Sequence, residues 1–510
     1  SNGHSGIETN GGNTNDTVTL KGCTLNVPNG FGIYFPSSGA LNIENSKITA
    51  KTMGVQVCSG SLNISGSSEI TVTGDPVAKT ENDGAIQDGA AVSVVNRPGY
   101  KGLGNVTITG GTFKSAKGEA LKAYTWENKT ESKFDKINVI SVSGGTFSSA
   151  VPADYCADGF IPTKNSDGTY GVKSGKYVAE LNGVKYETVN AAIAAANNGD
   201  TVTLLSDTTE DVLINKSITL DLGGKTLTNT GVGKATISIT GNDVTVKNGN
   251  VIGGASYYNI EVKKGASATL EGVTATAGNT GSSMIDNCGT LTINSGSYTG
   301  GLDVVKNEPG AALSISGGTF TLEKGTSKGF TGVIFNYGKL EISGGTFIQG
   351  DKNAPYGQAQ VIHTDKSGSS SPSTVITGGT FKNLCTRSTA WTVRVTNAAA
   401  GSTKVSGGTF NKKISDGYCA NGYIPTKNAD GTYDVKEGAY VAAIGSTGYE
   451  TLADAIKAAK SGKTIELLAD CYSDRINLGN KNITLVLNGY TVTSTAAYGV
   501  LRKERKNNHY

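Results

Sequence analysis

Apolar and polar residues alternate along most of this chain in short runs, and many of the runs stop at a pair of glycines. Leu313-Ser314-Ile315 leads into Ser316-Gly317-Gly318-Thr319-Phe320, and Leu340-Glu341-Ile342 leads into Ser343-Gly344-Gly345-Thr346-Phe347. The phrase also ends at Phe147 and Phe410, and with Thr in first place it runs from Thr109 to Phe113 and from Thr377 to Phe381. Alternation predicts a strand with one buried face. The glycine pair predicts a corner where a side chain would obstruct the backbone. The Phe then points back inside. Strand, corner and inward aromatic, repeated along the chain, predict an all-β architecture of stacked coils, a β-solenoid.

Two periods are nested. The short one is the coil: Leu41 to Leu62 and Leu270 to Leu291 are 21 residues, and Ile48 to Ile70 and Leu291 to Leu313 are 22. A second strand series runs through Ile33, Val55, Ile260, Ile285, Val304, Val333, Val361 and Val393. The long period is the module. Tyr155-Cys156-Ala157-Asp158-Gly159 returns as Tyr418-Cys419-Ala420-Asn421-Gly422, 263 residues on, and Tyr186-Glu187-Thr188 returns as Tyr449-Glu450-Thr451. The expected organisation is the back end of one module over 1–150, a hairpin linker over 151–175, a complete module over 176–411, a second hairpin linker over 412–438, and the start of a third module over 439–510. The chain is expected to begin in mid-coil, so its true N-terminus lies elsewhere and the lack of a leader carries no meaning.

Each module opens with a short helix. In Tyr186 to Gly199, Val189, Ile193 and Ala196 fall on one face and Gly199 offers a C-cap; Leu452, Ile456, Ala459 and Gly462 repeat the pattern. A lid over the open end of the coils is the natural role, because that end would otherwise expose apolar interior and strand edges. Asp167-Gly168 and Asp430-Gly431 mark two-residue hairpin turns, and one carboxylate in a turn is too few to hold calcium.

Composition narrows the function. Glycine supplies 71 of 510 residues, only 7% are aromatic, and the formal net charge of +3 makes no case for nucleic acid. The basic cluster Arg502-Lys503-Glu504-Arg505-Lys506 reads as a solvated tail. No apolar run approaches the roughly twenty residues that span a bilayer. The seven cysteines form no Cys-x-x-Cys and no Cys/His cluster, so no metal or cofactor is expected. They read mainly as small buried residues, with an occasional disulfide as the alternative.

The opening helix with Gly199-Asp200-Thr201, followed by Ile218-Thr219-Leu220-Asp221-Leu222-Gly223-Gly224, resembles the pectin-lyase-like right-handed parallel β-helices. The Gly-Gly-Thr-Phe coils and Asp-Gly-Thr-Tyr hairpins are similar to repeat regions of large surface proteins of gut Firmicutes and related bacteria. The resemblance implies tandem right-handed parallel β-helices with short N-terminal capping α-helices, at an extracellular or cell-surface location. It leaves activity open, since that fold carries lyases, glycosidases, adhesins and passive stalks. The paired aspartates, Gly-His-Gly and Arg-x-Lys segment of the polygalacturonase-like enzymes do not occur, and His4 stands between Gly3 and Ser5. For the pectate-lyase-like calcium cage and arginine base, only Arg97, Arg387 and Arg394 lie among the long coils. His363 alone remains for histidine acid–base chemistry, and a lone His at a strand end is more often structural.

The later coils swell. Leu313 to Leu340 is 27 residues, Leu340 to Val375 is 35, and Val375 to Val405 is 30. The extra residues fall in 322–332, 348–358, 365–373 and 382–390, and earlier in 74–89, 96–104 and 125–136. Stacked loops make a groove wall, where binding residues concentrate. Trp126 and Trp391 lie beside the last swollen coils, with Tyr100, Tyr124 and Tyr356 nearby. Two readings stand side by side: these rings stack on sugars, or they cover loop bases against the barrel. The candidate ligand-binding set is Tyr356, His363, Asp365, Arg387, Trp391 and Arg394, with Arg97, Tyr100, Lys122, Tyr124 and Trp126. Aligning the modules on Thr109 and Thr377 sets His363 against Val95 and Asp365 against Arg97; only Lys122 against Arg394 keeps its character. An extracellular stalk or adhesin with grooves for a glycan or host-surface component is the function expected. The rivals are a carbohydrate-active lyase or hydrolase centred on Arg394, and ice or mineral binding through Thr ladders, which the uneven coils disfavour.

Overall fold

The structure is a computed structural model that describes all residues except 1–4, 10–13, 232, 325–330, 356, 358, 400, 474–475, 479, 495–499 and 502–510. The basic cluster from Arg502 and His4 therefore lie outside the described residues. The chain forms two compact units, Ser1–Tyr177 and Val178–Tyr510.

In the first unit each repeat gives one strand to each of three sheets, and each strand pairs in parallel with its equivalent in the next repeat. One sheet runs through Phe31–Phe35, Met53–Val57, Val92–Asn96 and Leu121–Glu127; the others run through Ala40–Glu44 and Gly60–Ser65, and through Lys47–Ala50, Glu69–Val72 and Thr112–Ser115. The second unit repeats the plan with a 20-stranded and an 8-stranded sheet. Long parallel sheets with many repeats are compatible with a β-helix-like solenoid. The inward positions of the alternating runs make a continuous core in each unit, and residues 442–492 hold a separate small core.

The glycine corners bring the Phe rings into line. Gly345 has φ 96°, a region open to glycine, and a Cβ on Gly344 would collide with the Ser316 carbonyl. Phe320, Phe347, Phe381 and Phe410 are fully buried and stack at 4.6–5.0 Å with interplanar angles of 6–8°. Phe113 and Phe147 stack at 4.8 Å in the first unit. A second inward row is polar. Asn287 donates to Asn307 Oδ1 at 2.8 Å, Asn307 to Asn336 Oδ1 at 2.8 Å, and Asn336 to Thr374 Oγ1 at 3.1 Å. Each buried amide also reaches a corner carbonyl or amide, as burial requires.

Three local expectations are corrected. Helix α1 is shorter than 186–199: it spans Val189–Ala195, with Thr188 as N-cap and Ala196 as C-cap. Gly199 sits in the turn beyond, and the helix end is closed instead by Lys216 Nζ, which donates to the Ala194 and Ala196 carbonyls at 2.6 Å each. Helix α2, Leu452–Ala458, is closed in the same way by Lys481. α1 packs on Ala179–Leu181, Thr201–Leu204 and Val212–Ile214, the first strands of its unit. Second, the hairpins are built into the sheets. Tyr170–Ser174 pairs antiparallel with Thr146–Phe147, and Tyr433–Glu437 with Thr409–Phe410, so each hairpin also closes the end of a parallel stack. Third, the strand series is out of phase by one residue at three of its members, Val304, Val333 and Val361, and in phase again at Val393. Ile285 pairs with Val305, Ile334, Ile362 and Val393 in succession, one residue beyond Val304, Val333 and Val361. Likewise Leu270 pairs with Ile293 and Glu341 with Val375, so Leu291 and Val375 are not the partners of Leu270 and Leu340.

All seven cysteines are free, and three of them, Cys58, Cys385 and Cys471, are buried. No helix among the described residues is long and apolar enough to cross a membrane.

Candidate functional site

The 8-stranded sheet of the second unit decides which side chains share a face. Its strands are short, and the middle residue of each points away from the core that its neighbours enter. Leu213, Ser238, Glu261, Asp286, Lys306, Phe335, His363 and Arg394 are therefore one register-matched row. Only His363 and Arg394 were expected from the sequence. Glu261 and Asp286 follow Ile260 and Ile285, whose phase is right, and no motif singles them out. The shift of one residue at Val304 and Val333 hid Lys306 and Phe335, because the outward positions then read as Val305 and Ile334. A count of residues from each Asn or Thr of the buried ladder would have revealed them.

At the far end of the row lies Trp391. Its ring is 39% exposed, and the Arg394 guanidinium lies 4.9 Å from its centre. The loops behind it are fastened together: Asn383 Nδ2 donates to the Ala359 and Trp391 carbonyls at 2.7 and 2.8 Å, the Thr386 amide donates to the Lys352 carbonyl at 3.0 Å, and Lys412 Nζ donates to the Cys385 carbonyl at 2.6 Å. Asp365 accepts from Asn397 Nδ2 at 3.1 Å at the same edge, and Arg387 is exposed on the neighbouring turn. Tyr356 lies outside the described residues. His363 is fully buried, stacked at 4.8 Å on Phe335, with Nε2 2.9 Å from Thr396 Oγ1. Burial, and then the Arg394 charge, push its pKa down to about 4, so it is neutral near pH 7 and serves packing.

The middle of the row is charged. Lys306 holds Glu308 at 2.5 Å and faces the Tyr337 ring at 5.9 Å. Asp286 is 5% exposed; Oδ2 accepts from the Cys288 thiol at 3.5 Å, while Oδ1 has no hydrogen-bond partner. Burial, reinforced by Glu308, pushes its carboxyl up to about 6. Asp303, just before this strand and 1% exposed, accepts from the Gly332 amide at 3.0 Å and the Ser283 hydroxyl at 3.1 Å, and burial pushes it up to about 7. A raised folded pKa favours the protonated protein, so the Asp303 contribution is complete below the unfolded value of about 3.9 and is lost as pH rises towards 7. Asp303→Asn should therefore gain on wild type as pH rises between those limits, by about 4 kcal/mol at most. Urea denaturation at several pH values checks this, and a gap that does not change with pH would reject it.

In the first unit the expected binding residues are fasteners. Segment 81–88 lies over the outward face of the sheet, and its backbone needs partners there. Arg97 donates to the Asn82 and Gly84 carbonyls at 2.9 and 2.6 Å, Trp126 Nε1 to the Glu81 carbonyl at 3.0 Å, and Tyr124 Oη to Asp88 at 2.9 Å. Gln56 holds both the amide and the carbonyl of Ile86. Arg97, Tyr124 and Trp126 are 2–8% exposed. They have no free face for a sugar, which corrects their place in the binding set. Tyr100 reaches Asp83 at 2.9 Å, and Lys122 pairs with Glu131 at 2.8 Å over the Tyr124 ring. Within its own unit Ser93 pairs with Lys122, as His363 pairs with Arg394 in the second.

Comparison of the chain with protein-family models, with curated proteins and with solved structures returned no match. Among the described residues no group of three or more His, Cys, Asp or Glu is placed to hold a metal ion.

Proposed function

We propose that this chain belongs to a bacterial extracellular or cell-surface repeat protein: tandem right-handed parallel β-helices that act as a stalk or adhesin and present the face around Trp391 to a glycan or host-surface component. Trp391 carries the reading. It is a large ring at the surface, backed by a guanidinium and mounted on loops tied to one another. A ring already held in place loses little freedom on binding, and its apolar face matches the C–H face of a sugar. Arg394 supplies a cation against the ring, and Arg387 is exposed four residues before it. The Phe stacks along each core suit a stiff stalk.

A second reading, a carbohydrate-active enzyme, draws on Asp286, whose raised pKa beside Glu308 is what a general acid needs. It is the weaker, because Asp286 is almost fully covered.

The test is a glycan array followed by calorimetry, run beside a polysaccharide turnover assay. Trp391→Ala should weaken binding by about 1–3 kcal/mol and leave the melting temperature nearly unchanged. No turnover is expected in the wild type. Cleavage that disappears in Arg394→Ala would favour the enzyme, and unfolding of Trp391→Ala would assign the ring to the core.

A further inference from the structure

We propose that the second unit carries a second saccharide site at the other end of the same sheet, so that a polymeric glycan binds bivalently; this rests on the reading of Trp391 as a saccharide platform. A groove of about 350 Å³ opens over the first three strands of the 8-stranded sheet, within the size range of small-ligand sites. Its floor is Leu213, Ser238 and Glu261, consecutive in register. Leu213 is 47% exposed between Val212 and Ile214, which are buried; the fold gives that apolar side chain no partner. Tyr257 forms the wall, its ring braced on Tyr258 at 4.5 Å.

The polar groups are fixed in advance. Glu261 is 6% exposed, with Lys263 Nζ at 2.5 Å and the Ser238 hydroxyl at 3.4 Å on its carboxylate. Asp211 accepts from the Thr230 amide at 3.0 Å and the Thr230 hydroxyl at 2.5 Å. The groove lining carries two carboxylates, Asp211 and Glu261, and two ammonium groups, Lys234 and Lys263, so its formal charge is zero and it places no demand for an ionic ligand. It offers rigid acceptors and donors for hydroxyls next to a ring and an isobutyl group. A neutral saccharide, polar at its rim and apolar on its face, meets both demands. Two strand spacings of floor, about 10 Å, accommodate a disaccharide.

The two sites are separate. Five strand spacings, roughly 24 Å, lie between the strands of Glu261 and Arg394. Asp286, Phe335 and His363 between them are 0–5% exposed and the Lys306 side chain 30%, and none of the four lines the groove. One polymer chain engaging both sites gains avidity, because its second contact is intramolecular.

The experiment is titration of the full chain with neutral cello-, manno- and xylo-oligosaccharides from disaccharide to octasaccharide, with the parent polysaccharides, and with an array of neutral glycans. The expected result is two short ligands per chain. Tyr257→Ala, or Leu213→Asn at its exposed position, removes one and spares the other; Trp391→Ala does the reverse. Polymer affinity falls roughly a hundredfold in either variant. Loss of binding in Tyr257→Ala with none in Trp391→Ala would support the groove and overturn the Trp391 platform. One ligand per chain, lost in Trp391→Ala and indifferent to Tyr257→Ala and Leu213→Asn, would overturn the second site and leave the first standing. No binding to any neutral glycan would overturn both.

Discussion

Phe347→Ala should destabilise the protein by about 3–5 kcal/mol, at the upper end of what truncation of a buried ring costs. The ring is fully buried between Phe320 at 4.9 Å and Phe381 at 5.0 Å. Its removal leaves a void faced by two aromatic planes. Those planes cannot close on one another, because ladder pairing of Thr346 with Thr319 on one side and Thr380 on the other holds the strands at their spacing. The void therefore persists, and its volume adds to the lost transfer term. Phe113 has a ring on one side only, Phe147, and Ile70 as its other partner in register, so Phe113→Ala should cost less. Chemical denaturation followed by circular dichroism gives both values. A loss below about 1 kcal/mol at Phe347 would mean that the repeats can collapse along the stack, against close packing of protein interiors.

Ile193→Asp should have a comparable effect and a second consequence. Ile193 is 2% exposed on α1 and packs in the core of the second unit. The substitution removes a buried aliphatic chain, worth about 2–5 kcal/mol, and asks a carboxylate to enter an apolar site, which adds further cost. The helix should detach locally before the stacked strands unfold. Its ends are held by polar contacts, Glu210 on the Val189 and Asn190 amides and Lys216 on the last carbonyls, and these do not replace the lost burial. Detachment exposes the first strand edges, which invite pairing with another molecule. Light scattering should show concentration-dependent association, with stability reduced. A variant that stays monomeric with unchanged stability would show that α1 is not a lid.

The sequence by itself determined the strands, the corners, the inward Phe stack, the hairpin turns and the recurrence of modules. These rest on local signals, namely alternation, glycine pairs and Asp-Gly turns, and in a repeat chain each is stated many times over. The tertiary structure alone decided the phase of the 8-stranded sheet. Its strands are three or four residues long with apolar residues at adjacent positions, such as Val304 and Val305 or Val333 and Ile334, and a slip of one residue exchanges the inner and outer faces. That slip concealed Lys306 and Phe335 and, on the inner side, Asn307 and Asn336 of the buried ladder. It also decided the fate of Tyr124 and Trp126. Whether a ring near a long loop meets water or lies beneath the loop depends on where segment 81–88 comes to rest, and that is fixed by hydrogen bonds to Gln56 and Trp126, on different strands, and to Arg97, just beyond the end of a third. Periodicity carries no record of contacts between a loop and a sheet face distant in sequence, so only the folded arrangement separates an aromatic that can meet a ligand, Trp391, from one that fastens the chain to itself, Trp126.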